Sequence, residues 1–481
     1  MQVSKLRILF FLFTSLIATR AHAGFDALAA LADSGAEISA YAVDLQTGAP
    51  LAALNADTRL SPASVTKIAV SARILDTWPA DKTFFTRLYV TQAPQGGVVN
   101  GDVILATEGD TALEYQSLIN LAAQFAARGI TRITGNVVAS TAPFAALSCE
   151  TEDRCLALRK SSTAYNSPIA GIGVDYGTWC VEVRPTKAKK PAEVTSCGGV
   201  PLPIAVEGTI TTVAAGRRAN WWMDRRTVGG EDILAIGGTV AVGELQTEYR
   251  SMSDPALGTA QLMRETLRAA GVGVQGSARV RHMRPPVTAL ESAGIEGLPL
   301  REQVARLLRF SITFVADMMT MHTAHARGES TLTLADAAHG LSNYVAVATG
   351  QVQNPPLLFS GSGLTPENLI SAKEITALLA KEHRNSAKFS AFYSSLVVPR
   401  YSASRSMRRG SEDWLDRVAM KTGTLTVPRS VSALGGYLRK RDGGFIAFAI
   451  MVNGSAKVRR VPGYKASEAM RADLEELLAR Y

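Results

Sequence analysis

Apolar and polar positions change period several times along this chain. A basic pair, Lys5 and Arg7, precedes a mostly apolar run over residues 8–18, about half of the roughly 20 residues that a membrane-spanning helix needs. Residues 25–32 have helical spacing, while 37–45 alternate loosely like a half-buried strand up to the turn Gln46-Thr47-Gly48. Residues 50–55 are placed to pair back on that strand, and 65–75 read as a helix. Near the other end, 417–420, 431–438 and 445–452 read as strands, the last two joined by a Gly-ended hairpin turn. Residues 307–321 read as one helix, and the chain closes with an amphipathic helix over 466–478 whose Met470, Leu474, Leu477 and Leu478 share a face. The two chain ends are thus expected to build one antiparallel sheet flanked by helices, an α+β fold.

The middle of the chain has a different texture. Residues 93–286 carry short strand-like runs, glycine turns and all four cysteines, and read as a mostly β accessory region of one or two subdomains. It is inserted into a domain formed by residues 24–92 plus 287–481, whose pieces sum to roughly 260 residues, the size of a single domain. The full 481 residues exceed what one hydrophobic core supports.

Composition adds compartment and excludes some partners. Residues 1–23 have the layout of a cleavable secretory signal peptide, with Ala21-His22-Ala23 as a small-x-small site before Gly24. No Cys follows that site, and no later stretch suits a transmembrane segment. Removing Lys5, Arg7 and Arg20 lowers the formal charge from +9 to +6; the remaining Lys and Arg are scattered, so no nucleic-acid partner is expected. Cys149, Cys155, Cys180 and Cys197 fall within 49 residues of an exported chain, which reads as two disulfides. Of three connectivities, Cys149 with Cys155 and Cys180 with Cys197 is favoured because both close short local loops. A zinc site is the alternative, against which stands the lack of Cys-x-x-Cys pairs. His322 and His325 share a helix face without a third ligand nearby, so neither a metal nor an organic cofactor is expected.

Three motifs carry the candidate chemistry. The first, Ser64-Val65-Thr66-Lys67, opens a helix just after Pro62. Residues three apart share a helix face, which sets the Lys67 amine beside the Ser64 hydroxyl. A desolvated lysine can take that proton and make the serine a nucleophile. A Ser-x-x-Lys arises about twice by chance in a chain this long, so its setting after a hairpin matters. The second motif is Ser311-Ile312-Thr313. The third, Lys421-Thr422-Gly423-Thr424, lies on a strand, where Gly423 admits a ligand backbone and Lys421 and Thr422 can pair with a carboxylate.

With these motifs in this order, the chain resembles the D-alanyl-D-alanine carboxypeptidase/endopeptidase family of class C low-molecular-mass penicillin-binding proteins, peptidase family S13. Further stretches support it, among them Gly101-Asp102-Val103-Ile104-Leu105, Asp254-Pro255-Ala256 and Ala447 through Asn453. The resemblance implies a penicillin-binding-protein or serine β-lactamase-like domain with Ser64 as nucleophile, Lys67 as base and Ser311 as proton relay. Lys421, Thr422, Gly423, Thr424 and Thr313 would bind substrate. It further implies a periplasmic peptidase acting on peptidoglycan stem peptides and inhibited by β-lactams, and it leaves a homodimer open. Three places depart from the family pattern: Thr313 stands where Asn is usual, with one hydroxyl donor in place of an amide, Ser360 stands where Asp is usual, and Ser404-Arg405-Ser406-Met407 stands where a Gly-Thr-Leu is expected. Thr313 is expected to reduce activity. The alternative readings are a catalytically impaired protein that binds cell-wall peptide or a partner, and a β-lactamase or esterase on the same scaffold.

Overall fold

The computed structural model describes residues 24–147, 155 and 162–481. The expected signal segment and the Cys149 half of the expected Cys149–Cys155 bridge lie outside the described residues. The central sheet is antiparallel and joins both chain ends, in the order Val418–Leu425, Val431–Arg439, Phe445–Asn453, Glu37–Asp44, Pro50–Leu54. Helices cover both of its faces, which is why its central strand is a continuous apolar run. Phe448, Ile450 and Val452 pack with Phe25, Leu28, Met470 and Leu474 around the helices Asp26–Asp33 and Gly463–Arg480. Ala447, Ala449 and Met451 face the other way, onto Ile68, Leu75, Ile375 and Leu379 of the helices Lys67–Thr77 and Ala372–Arg384. Asp473 fastens the two chain ends: its carboxylate accepts the Ala27 and Leu28 N–H groups at 2.9 and 3.0 Å, satisfying donors that a helix start leaves open. Gly435 lets the Lys67–Thr77 helix settle on the sheet, since a Cβ there would lie 3.0 Å from Ile68 and 3.1 Å from Val65.

The inserted region has its own core, in which Leu121, Phe125, Val181, Met263 and Leu267 are fully or nearly fully buried. A mixed sheet runs Ala278–Arg281, Val137–Ser140, Val103–Thr107, Phe85–Val90, Leu290–Glu296, with the helices Tyr115–Ala127 and Pro255–Ala269 beside it. Three three-stranded sheets complete it. The strands Phe85–Val90 and Leu290–Glu296 lie outside the expected limits of 93–286, yet they pair in this sheet and add Leu88, Val90 and Ala293 to its core. Cys180 and Cys197 are bridged, with Cα atoms 5.4 Å apart.

Two expected elements differ in form. The first motif opens with a 3-10 turn, Ala63–Thr66, before the α-helix begins at Lys67. The single helix expected over 307–321 is two helices, Leu300–Phe310 and Thr313–Ala326, broken at Ser311, which is left-handed at φ +57°. The break has a packing cause. The first helix is one-sided, burying Leu300, Val304, Leu307 and Leu308 while Phe310 stays exposed; the second is buried at every residue from Thr313 to Ala324. A straight helix cannot be half-solvated and then immersed, so the axis turns, and a left-handed residue ends the first segment.

Candidate active site

The turn that carries Ser64 is held by unusual backbone. Ala63 is left-handed at φ +46°, a conformation that costs a non-glycine residue roughly 1–3 kcal/mol. The Val65 N–H donates to the Pro62 carbonyl at 3.1 Å, and the Thr66 hydroxyl to the Ala63 carbonyl at 2.8 Å. Two glycines grip the turn from opposite sides. A Cβ on Gly363 would fall 1.9 Å from the Ala63 carbonyl oxygen, and one on Gly423 2.5 Å from that of Pro62 and 3.1 Å from the Ser64 nitrogen. The third motif's strand thereby lies directly against the nucleophile turn.

Inside this grip Lys67 is completely buried. Its Nζ is 2.9 Å from Ser64 Oγ and donates to the Ser362 carbonyl at 2.6 Å. The Ser362 N–H in turn donates to the buried Asp317 carboxylate at 2.8 Å. Asn368 clamps the rest of that loop: its Oδ1 accepts the Phe359 and Ser360 N–H groups at 2.8 and 3.2 Å, and its amide donates to the Ser360 carbonyl at 2.9 Å and to Thr66 Oγ1 at 3.2 Å. Ser360, in the position where Asp is usual, accepts the Gly363 N–H at 3.1 Å. Lys421 is also fully buried and donates to the Thr422 carbonyl at 2.6 Å. Burial first, and the charge of Lys67 second, hold its amine well below the ordinary lysine range.

The structure therefore brings Ser64, Lys67 and the strand from Lys421 to Thr424 together. Ser311 and Thr313 stand on the wall of a cleft of about 1060 Å³. His322 and His325 instead pack edge-on against Phe144, at 4.9 and 6.1 Å between ring centroids. Burial drives the His322 imidazole down to about 3, so it joins helix and insert as a neutral ring.

The opposite wall of the cleft belongs to the insert. Arg306 pairs with Glu114 and donates to the Tyr176 hydroxyl at 3.0 Å. Asp175 and Tyr176 are consecutive left-handed residues, φ +46° and +62°. The Asp175 carboxylate accepts the Tyr115 N–H at 3.2 Å, yet burial, helped by Glu114, pushes its pKa up to about 7. A carboxyl raised in the folded state favours folding at low pH, and that advantage is lost as pH rises through about 7. Asp175→Asn, which keeps the acceptor, is expected to melt a few degrees above the parent at pH 8 and level with it at pH 4. Thermal melts across that range check this, and a gain confined to low pH would contradict it.

The model of the D-Ala-D-Ala carboxypeptidase 3 (S13) family matches residues 23–480. The chain belongs to the S13 family. It is 28% identical over 442 residues to a D-alanyl-D-alanine carboxypeptidase of Actinomadura sp. (strain R39), covering 87% of this chain and 78% of the relative. It is 24% identical over 452 residues to the D-alanyl-D-alanine carboxypeptidase DacB of Haemophilus influenzae, covering 89% of each. The same fold occurs in penicillin binding protein 4 of Haemophilus influenzae, with a TM-score of 0.73 at 19% identity over 92% of this chain and 97% of that one. It occurs also in a predatory peptidoglycan endopeptidase of Bdellovibrio bacteriovorus, with a TM-score of 0.53 at 13% identity over 92% and 93%. As an S13 member the chain is a serine-type D-Ala-D-Ala peptidase on a penicillin-binding-protein scaffold.

Sequence reasoning missed Ser362, Asp317 and Asn368. Ser362 acts on Lys67 through its own carbonyl, while the Asp317 and Asn368 side chains act mainly on backbone groups of that loop, so no pairing of residue types announces the contacts. The signal that could have found them was position: Asp317 sits one turn beyond Thr313, and Asn368 lies four residues after the Gly-Ser-Gly-Leu turn.

Proposed function

We propose that this S13 peptidase, exported to the periplasm, hydrolyses the terminal D-Ala-D-Ala bond of peptidoglycan stem peptides, and the related cross-link bond, through an acyl-enzyme on Ser64. The observation that supports this best is the buried Lys67 amine, 2.9 Å from Ser64 Oγ. Lys67 takes the hydroxyl proton as Oγ attacks the carbonyl carbon of the penultimate D-Ala. The N–H groups of Ser64 and Thr424 face the oxyanion, the kind of fixed donor pair worth about 10²–10³ in rate per donor. Ser311 passes the proton on to the leaving amine, the C–N bond breaks, and water then hydrolyses the ester. Lys421 and Thr422 receive the substrate's terminal carboxylate, an anion that favours the charged form of the Lys421 amine. Among the described residues no helix is long and apolar enough to cross a membrane.

The domain limits belong to this reading. The Phe85–Val90 and Leu290–Glu296 strands pair with the insert, so we place the catalytic domain at residues 24–84 plus 297–481 and the accessory region between them.

The test is labelling of the purified mature chain with a fluorescent penicillin, with the adduct located by mass spectrometry, and release of D-alanine from a stem pentapeptide. An adduct on the Ser64 peptide with D-alanine release supports the assignment. A folded chain that does neither would favour the impaired-binder reading, and rapid turnover of a chromogenic β-lactam would favour the β-lactamase. Thr313→Asn restores an amide where a hydroxyl now stands, and is expected to raise the acylation rate by about tenfold, the worth of one neutral hydrogen bond. An unchanged or lower rate would show that Thr313 is already adapted to its site.

A further inference from the structure

We infer that the cleft beside Ser311 is a saccharide subsite, which receives the glycan that carries the stem peptide. The inference rests on the peptidase reading and extends it to a part of the substrate remote from the scissile bond. Three aromatic side chains around this cleft are left in water: Phe310 is 73% exposed, Tyr165 58% and Tyr249 43%. They come from both sides, Phe310 from the end of the Leu300–Phe310 helix and the two tyrosines from the insert. Exposed apolar area concentrated at a groove marks a ligand surface, and a concave site with a few fixed polar groups is the usual form of a small-molecule pocket.

The polar groups select the ligand. Glu114 is neutralised by Arg306, Glu182 pairs with Arg184 at 3.5 Å, and burial moves Asp175 toward its neutral form. A cationic peptide side chain would therefore find little free negative charge in this cleft. A sugar ring matches it better, because its C–H face can lie on an aromatic ring while its hydroxyl and amide groups meet carboxylate and guanidinium edges. Both walls are locked in position: Ser311 on one side and Asp175 and Tyr176 on the other are left-handed, and the Cys180–Cys197 bridge braces the insert side. Such backbone persists where surrounding structure over-determines it, and it clusters at ligand clamps. The cleft also touches Ser311 and Thr313, the two residues proposed to act on the scissile peptide.

The test compares KM for a stem pentapeptide with and without its N-terminally linked disaccharide, each made also with norleucine in place of the diamino acid residue. For the parent chain the saccharide is expected to lower KM about tenfold, equivalent to one good aromatic contact. In Tyr165→Ala/Tyr249→Ala, and separately in Phe310→Ala from the other wall, that ratio falls to about one. Equal KM values in a parent chain that is labelled by penicillin would overturn the subsite and leave the peptidase reading intact. A ratio that survives in both variants, or that follows the charged side chain and not the sugar, would also overturn it. If the parent chain fails to label, the peptidase reading fails by itself. Titration with the free disaccharide, followed by NMR, then decides the subsite separately: binding that both variants lose upholds it, and no binding overturns it.

Discussion

Ser64→Ala is expected to abolish covalent labelling by penicillin and to lower D-alanine release by about 10⁶-fold, the scale of loss when a serine hydrolase loses its nucleophile. The alanine keeps the Cβ, so the turn through left-handed Ala63 and its clamps from Gly363 and Gly423 are undisturbed. Lys67 keeps its bond to the Ser362 carbonyl, and folding stability should change by less than about 1 kcal/mol. Loss of labelling with an unchanged melting temperature therefore isolates chemistry from folding. A variant that still labels would move the nucleophile elsewhere, with Ser311, on the wall of the cleft, the first candidate to examine.

How much of this could be read from the sequence depends on the range of the interaction concerned. Strands near the two chain ends were legible because their periods are local, and the five-stranded sheet formed with nearly the expected bounds. Ser64 and Lys67 were legible because three residues of helical backbone fix their separation. The Cys180–Cys197 pair followed from its short loop. The break at Ser311 was not legible, because no glycine or proline marks it. It arises from the different immersion of two consecutive helices, a tertiary demand that overrides a continuous helical pattern. The pairing of Phe85–Val90 with Leu290–Glu296 was not legible for a related reason: both are ordinary strands by composition, and their partnership spans some 200 residues. The Asp317–Ser362–Lys67 chain lay beyond reach because both of its links use the backbone of Ser362, groups that every residue possesses.

Lys67→Met should lower the rate of acylation by 10³–10⁴-fold, near the upper range for removing a general base, and should at the same time make the protein more stable at low pH. Methionine fills nearly the same volume, so packing against the sheet is kept. The stability gain comes from Lys421. Its amine is fully buried and held well below the ordinary lysine range, by burial first and by the charge of Lys67 second. A lysine whose folded pKa is depressed binds fewer protons in the native state than in the unfolded one. Its burden on stability is thus full at pH values below the folded pKa and vanishes only as pH climbs past about 10.4. Removing Lys67 lifts the second cause, so the pKa of Lys421 rises and the burden shrinks. Against this stands the Ser362 carbonyl, which gives up the lysine donor at 2.6 Å, a loss of about 1–3 kcal/mol that does not depend on the protonation of Lys421. The two effects separate by pH: the variant's melting temperature relative to the parent should be highest near pH 6 and fall steadily toward pH 10. Melts at several pH values, paired with penicillin-labelling rates, test both halves. A difference that grows with pH would mean that the two buried lysines do not share their charge. A variant that labels at the parent's rate would remove Lys67 from the role of base.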